Sequence, residues 1–291
     1  MVPSDGEIMA RVGGENFPVA PLVLPRSVRG HLMGIYGFAR LADEIGDEAA
    51  GDRMVLLTWL DEEIDRLYQG TPEHPVMRRL APTVRELQLS PEPFRQLVEA
   101  NRQDQRVSRY DTFGALLEYC ALSANPVGRL VLEVLGAATP ERRQWSDSVC
   151  AGLQVAEHLQ DVAEDLDRGR VYLPQEDLAR FGCTEQDLRS APFGPAARAL
   201  LEFEVDRARS LLDDGSPLVG SLEGRLRLGV AAFVAGGHAA LDGVERGVRG
   251  PVGAPARPRR RDVARHWVRV VAVGGRQVGR SAAVGVEAAR R

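Results

Sequence analysis

Apolar residues recur at helical spacing from Arg26 to Asp47, Arg53 to Tyr68, Glu92 to Asp104, Phe113 to Leu135, Arg142 to Leu166, Pro195 to Leu212 and Leu222 to Val244. No stretch alternates in the manner of a strand. Breakers separate the segments: Gly70 to Pro75, Ser90-Pro91, Gly169, Ser190 to Gly194 and Gly215 to Pro217. A chain patterned this way buries its apolar stripes by packing helix against helix, so an all-α bundle is expected. Composition agrees, because 44% of the residues are hydrophobic but only 5% are aromatic, a balance that suits helices better than a sheet sandwich. With no internal repeat and no long linker, residues 1–250 read as one domain. From Pro251 the chain turns to Gly, Pro and Arg, which reads as a basic tail over 251–291, solvated and with some helix near Asp262 to Val273.

The net charge of -4 conceals an asymmetry. Residues 251–291 hold ten Arg against Asp262 and Glu287, a net +8, which leaves the body near -12. Such a body binds an anionic substrate poorly unless divalent cations stand between them. The tail could touch anionic lipid headgroups, and a nucleic-acid role is not expected of it. No run of about eighteen apolar residues occurs, and the N-terminal residues lack the layout of a secretion signal, so a cytoplasmic protein is expected. Cys120, Cys150 and Cys183 are scattered and form no CxxC pair, so they read as reduced packing residues.

Two acidic stripes carry the chemistry. On a helix, Tyr36, Arg40, Asp43 and Asp47 share one face. Asp43 and Asp47 then stand about 6 Å apart along the axis and repel each other, a cost that Mg²⁺ removes. That ion takes one or two carboxylates, keeps waters, and accepts phosphate oxygens as its remaining ligands. A second stripe runs through Gln154, Glu157, Asp161, Glu164, Asp165 and Arg168. Gly169 can end that helix, and Arg170 and Tyr172 could then lean back over the stripe. A single acid pair at this spacing is ordinary solvated surface. Two pairs, each within an apolar helix-forming run, suggest facing helices that line an acid-mouthed cavity.

These residues resemble the squalene/phytoene synthase family. Tyr36, Phe38, Arg40, Asp43, Glu44 and Asp47 stand where the family carries YxFxRxxDDxxD. Asp161, Glu164 and Asp165 match its DxxED, and Gly169, Arg170, Tyr172, Leu173 and Pro174 match the GRxYLP that follows. The likeness runs from about Glu15 to Gly250, and Tyr119 to Gly128 is similar to the family's central helix. Glu15 to Ala20 and the stretch from Gly152 to Val162 look like the hydroxysqualene synthase branch of bacterial hopanoid biosynthesis.

The resemblance implies a bundle of the isoprenoid synthase type with a central cavity, dependent on Mg²⁺. It also implies an isoprenoid diphosphate substrate: presqualene diphosphate is ionised, rearranged and quenched by water to hydroxysqualene. The metal residues implied are Asp43, Asp47, Asp161 and Asp165, with Glu157 and Glu164 as weaker ligands. Arg40 and Arg170 would meet the departing diphosphate, while Asn16, Phe17, Tyr36, Gln154 and Tyr172 would surround the reacting head and Gln160 would also contact the substrate. Three departures stand out: Gln160 where Arg usually precedes the second motif, Glu157 where Asn is usual, and Glu44 for Asp. His158 reads as packing or surface, since no second His stands at ligand spacing. Two alternatives remain open: head-to-head condensation of two prenyl diphosphates within the same family, and a non-catalytic helical protein that docks on membrane or nucleic acid through its tail. Oligomeric state is not legible.

Overall fold

The computed structural model describes residues 2–11, 20, 22–250 and 258–272, and among these every regular element is helical. The chain divides into two compact units, Met1–Ala138 with Gly169–Gln175, and Thr139–Arg168 with Glu176–Arg291.

The first unit holds α1 (Asp5–Ala10), α2 (Arg26–Asp47), α3 (Arg53–Gln69), α4 (Pro75–Leu87), α5 (Glu92–Asp104), α6 (Phe113–Ser123) and α7 (Asn125–Val134). Local sequence sets several of these ends. Asp52 accepts hydrogen bonds from Met54 and Val55 to cap α3, and Gly70 closes it in the left-handed region at φ 83°. Thr112 caps α6 through the amide of Ala115. Along α2, Leu32, Ile35, Phe38, Leu41 and Ile45 are buried, and Phe38 meets Phe94 of α5 edge-on with centroids 5.0 Å apart. Two expectations are corrected here. The run from Phe113 to Leu135 is two helices, because Pro126 offers no amide to the ladder and disfavours helical geometry just before it. Helix α4 lies in a stretch where no helix was expected, and it carries Pro82 in its interior.

The second unit holds α8 (Pro140–Gln160), α9 (Val162–Asp167), α10 (Gln175–Phe181), α11 (Glu185–Leu188), α12 (Pro195–Gly215), α13 (Pro217–Gly220) and α14 (Gly224–Arg249), followed by a helical segment over 260–272. Helices α8, α12 and α14 form its core around Val149, Leu201, Val205, Leu212, Val234 and Leu241. They approach closely at Gly215, where an added Cβ would stand 2.5 Å from Val149 Cγ2 and 2.6 Å from the Trp145 carbonyl. The expected helix from Arg142 to Leu166 is interrupted at Asp161, whose φ of -103° and ψ of 13° leave the helical region. Cys120, Cys150 and Cys183 are free thiols. No helix among the described residues is long and apolar enough to cross a membrane.

Candidate active site

Burial of one face of α2 leaves Tyr36, Arg40, Asp43 and Asp47 together on another, as the spacing predicts. Tyr36, Arg40 and Asp47 are half-buried, and Asp43 is exposed. Asp43 is nevertheless crowded by protein atoms, and burial, reinforced by the charge of Asp47, pushes its carboxyl up to about 7. Glu44 points elsewhere. It is buried and takes Arg11 Nε at 3.1 Å and Arg40 Nη2 at 3.3 Å, which tethers Arg40 to α2 itself.

Helix α5 brings a third carboxylate to the same unit. Burial pushes Asp104 up to about 6, against hydrogen bonds that favour its ionised form. The hydroxyls of Tyr119 and Tyr172 donate to its two oxygens at 2.7 and 2.9 Å. The rings of Tyr110, Tyr119 and Tyr172 pack mutually, with centroids 5.3 to 5.9 Å apart. Burial raises the phenols of Tyr110 and Tyr119 above the ordinary range, so both stay protonated; Tyr119 donates to Asp104, and the Tyr110 hydroxyl accepts from Gln103 Nε2 at 3.3 Å.

Arg170 and Tyr172 find partners within the first unit. Arg170 Nη1 lies 2.6 Å from Asp47 Oδ1, and Tyr172 bonds to Asp104. The cause is an extended backbone contact in which the Val171 amide donates to the Ser108 carbonyl at 2.8 Å. In addition, the Gln175 amide donates to Tyr110, and Arg109 Nη1 to the Gly169 carbonyl. These bonds fix the segment from Gly169 to Gln175 beside the loop that follows α5.

In the second unit the interruption at Asp161 splits the expected stripe. Glu157, Glu164 and Arg168 are exposed, Gln154, Gln160 and Asp161 are half-buried, and Asp165 is buried. Arg168 pairs with Glu164 at 2.9 Å. Burial first, then the charge of Glu164, raises the Asp161 carboxyl above its usual range. His158 lies between Gln154, 3.3 Å away, and Asp165, 3.9 Å away, in a packing role consistent with its sequence reading. Asn16 and Phe17 lie outside the described residues.

Among the described residues no three His, Cys, Asp or Glu side chains converge as a closed metal cage. The donor chemistry nonetheless fits a hard divalent cation. Asp43 and Asp47 stand on one helix face, and the Asp43 carboxyl is held back from ionising by burial first and by the charge of Asp47 second. A cation bound there would favour the ionised form of Asp43, taking its remaining ligands from water and phosphate. Sequence reasoning missed Asp104 and Asn101. Both interrupt the apolar register that runs through Phe94, Leu97 and Val98 on α5, and a polar residue at a core position of an amphipathic helix is the signal that could have found them.

A family model described as squalene/phytoene synthase matches residues 10–266. The chain is 37% identical over 224 residues to a hydroxysqualene synthase of Rhodopseudomonas palustris, covering 76% of this chain and 75% of that one. It is 34% identical over 221 residues to a 15-cis-phytoene synthase of Synechococcus elongatus, covering 71% of each. The crystal structure of squalene synthase HpnC from Alicyclobacillus acidocaldarius superimposes with a TM-score of 0.76 at 42% identity, covering 85% of this chain and 95% of that one. The helical architecture is therefore that of the isoprenoid synthases, and the chain belongs to the squalene/phytoene synthase family, enzymes that act on prenyl diphosphates.

Proposed function

We propose that this enzyme is a hydroxysqualene synthase that uses Mg²⁺ to ionise presqualene diphosphate. The observation that carries the ionisation chemistry is the group formed by Asp43, Asp47 and Asp104 with Arg40 and Arg170, in which the carboxylates outnumber the guanidiniums. The family depends on divalent metals in general. In this reading Asp43 and Asp47 hold Mg²⁺ in the first unit and Asp161 and Asp165 do so in the second, with Glu157 and Glu164 as weaker ligands. When bound, Mg²⁺ supplies the positive charge that makes diphosphate a competent leaving group.

Residues of the chain do the rest. Arg170, aimed by its bond to Asp47, and Arg40, anchored by Glu44, offset charge that grows on the departing diphosphate. The C–O bond of the substrate breaks with its electron pair on the diphosphate oxygen. The cyclopropylcarbinyl cation left behind rearranges, and water adds with loss of a proton. In this reading Tyr36 and Tyr172 of the first unit meet the reacting head, where aromatic faces favour positive charge, and Gln154, Asn16 and Phe17 are assigned to the substrate by the family resemblance alone. Tyr172 also steadies Asp104 through its hydroxyl.

The choice of presqualene diphosphate draws support from the hydroxysqualene synthase relatives and from Gln160. An enzyme that holds one diphosphate needs fewer cations than one that condenses two, so a neutral residue before the second motif is chemically tolerable. The similarity to phytoene synthases favours the alternative, head-to-head condensation. A cytoplasmic protein that touches anionic lipid through exposed Arg259, Arg260, Arg261 and Arg269 accords with so apolar a substrate.

Purified protein is incubated with Mg²⁺ and, separately, presqualene, farnesyl or geranylgeranyl diphosphate, and products are identified by mass spectrometry. Hydroxysqualene from presqualene diphosphate alone is expected. Turnover of a linear diphosphate with presqualene diphosphate untouched overturns the reading.

A further inference from the structure

Helix α5 is stitched to the acidic turn of α2 by polar side chains that the fold does not otherwise require. Asn101 is buried, and its Nδ2 donates to Asp43 Oδ1 at 3.4 Å and to the Leu97 carbonyl at 3.1 Å. The amide occupies the space that a side chain at Gly46 would fill. A Cβ at Gly46 would stand 2.8 Å from Asn101 Cγ and closer still to its Oδ1. One turn further along α5, Gln105 Nε2 donates to the carbonyls of Gly46 and Asn101, each at 3.0 Å. The Asn101 amide is thus fixed on both sides, with one N–H committed to its own helix and the other directed at a single oxygen of Asp43.

A neutral donor of this kind orients a carboxylate without bringing a positive charge that would compete with a cation. The bond engages Oδ1, and Oδ2 is the oxygen that Asn101 does not use. Lys or Arg at position 101 would do the opposite, neutralising Asp43 and weakening it as a ligand. Glycine at position 46 is what admits the amide to this place, since any larger residue would drive it away from the turn.

We propose that Asn101 is a positioning residue that holds Asp43 in the rotamer that meets a divalent cation, and that Gly46 is the space through which it does so. The proposal rests on the reading above that Asp43 ligates Mg²⁺. Outer-shell partners of metal ligands typically carry about 10- to 100-fold in metal affinity, and that range sets the size of the effect.

The test uses the full chain and three variants. Asn101→Leu fills a similar volume without a donor, Asn101→Asp keeps the shape but presents an acceptor, and Gly46→Ala leaves Asn101 in the chain but displaces its amide. Mn²⁺ binding is titrated by electron paramagnetic resonance in the presence of inorganic diphosphate, and the Mg²⁺ dependence of diphosphate release is measured in parallel. The half-saturating Mn²⁺ concentration should rise about 10- to 100-fold in each variant, while kcat at saturating Mg²⁺ falls by less than about threefold. A residue that merely fills the core would lower the melting temperature and leave the half-saturating metal concentration unmoved. Folded variants that bind Mn²⁺ as the parent does overturn the proposal. If Asn101→Asp fails to fold, Asn101→Leu and Gly46→Ala decide the same comparison. A parent enzyme that binds no Mn²⁺ and releases no diphosphate from any prenyl diphosphate overturns the reading of Asp43 itself, which is a different result from a normal parent with normal variants.

Discussion

Asp43 and Asp47 repel each other across one helical turn, so removing one charge relieves the fold while it removes a ligand. Asp43→Asn should therefore lower diphosphate release by about a thousandfold, the equivalent of several kcal/mol of lost charge stabilisation, with a melting temperature equal to or above that of the parent. The same loss is expected of Asp161→Asn, whose carboxyl burial also disfavours in its ionised form. Steady-state turnover paired with thermal unfolding monitored by circular dichroism checks both, and a fully active Asp161→Asn enzyme contradicts its assignment to metal. Tyr172→Phe acts differently: it takes one of two phenolic donors from Asp104, which costs about 1 kcal/mol in stability, read as a lower urea midpoint at unchanged slope. The acidic stripe of α2 was legible in the sequence because its members lie on one helix and obey its period. Asp104 was not, because its partners Tyr119 and Tyr172 lie 15 and 68 residues away and meet it only through tertiary packing. The pairing of Arg170 with Asp47 spans 123 residues and was equally hidden.

At the scale of elements, periodicity located most of the long helices and failed where the chain breaks without losing its apolar register. The residues on either side of Ala124 keep helical spacing, so only Pro126 signalled that α6 and α7 are separate. At Asp161 neither Gly nor Pro announces the interruption, and the stripe drawn through it placed Asp165 with exposed Glu157 and Glu164, whereas Asp165 is buried. Glycine carries the reverse lesson. Gly215 ends α12 and reads as a breaker, yet its placement against Trp145 and Val149 of α8 makes it a close-packing residue as well. Backbone atoms form part of that contact and cannot swing aside as a flexible side chain would. Gly215→Ala should then destabilise the protein by about 1–3 kcal/mol, the usual penalty of overpacking, seen as a melting temperature lowered by several degrees. An unchanged melting temperature would mean that α8 and α12 have slack where the structure gives them none.

For the whole molecule, the contrast between an acidic body and a basic tail described charge correctly but understated how the second unit uses it. The segment over 260–272 is docked on α14 by the ion pair of Asp262 with Arg246 at 2.8 Å, by a hydrogen bond between His266 Nε2 and Asp242 Oδ2 at 2.8 Å, and by the Trp267 indole donating to the Leu228 carbonyl. Inside the same unit, two buried acids, Asp177 and Glu204, share the single guanidinium of Arg207. One cation cannot stabilise two buried anions. Burial, with the charge of Asp177 adding to it, therefore pushes Glu204 up to about 8, and near neutral pH it carries a proton in the folded chain that it would release on unfolding. Because its folded pKa lies above the ordinary value of 4.5, the stabilisation is fully present below that ordinary value and is lost as pH rises through about 8. The melting temperature of the metal-free protein should accordingly decline between pH 6 and pH 9. Glu204→Gln, which keeps the shape and cannot ionise, should flatten that slope and melt above the parent at pH 9. Thermal unfolding across a pH series reads both effects, and a variant that retains the parental slope would place the responsible proton on another group.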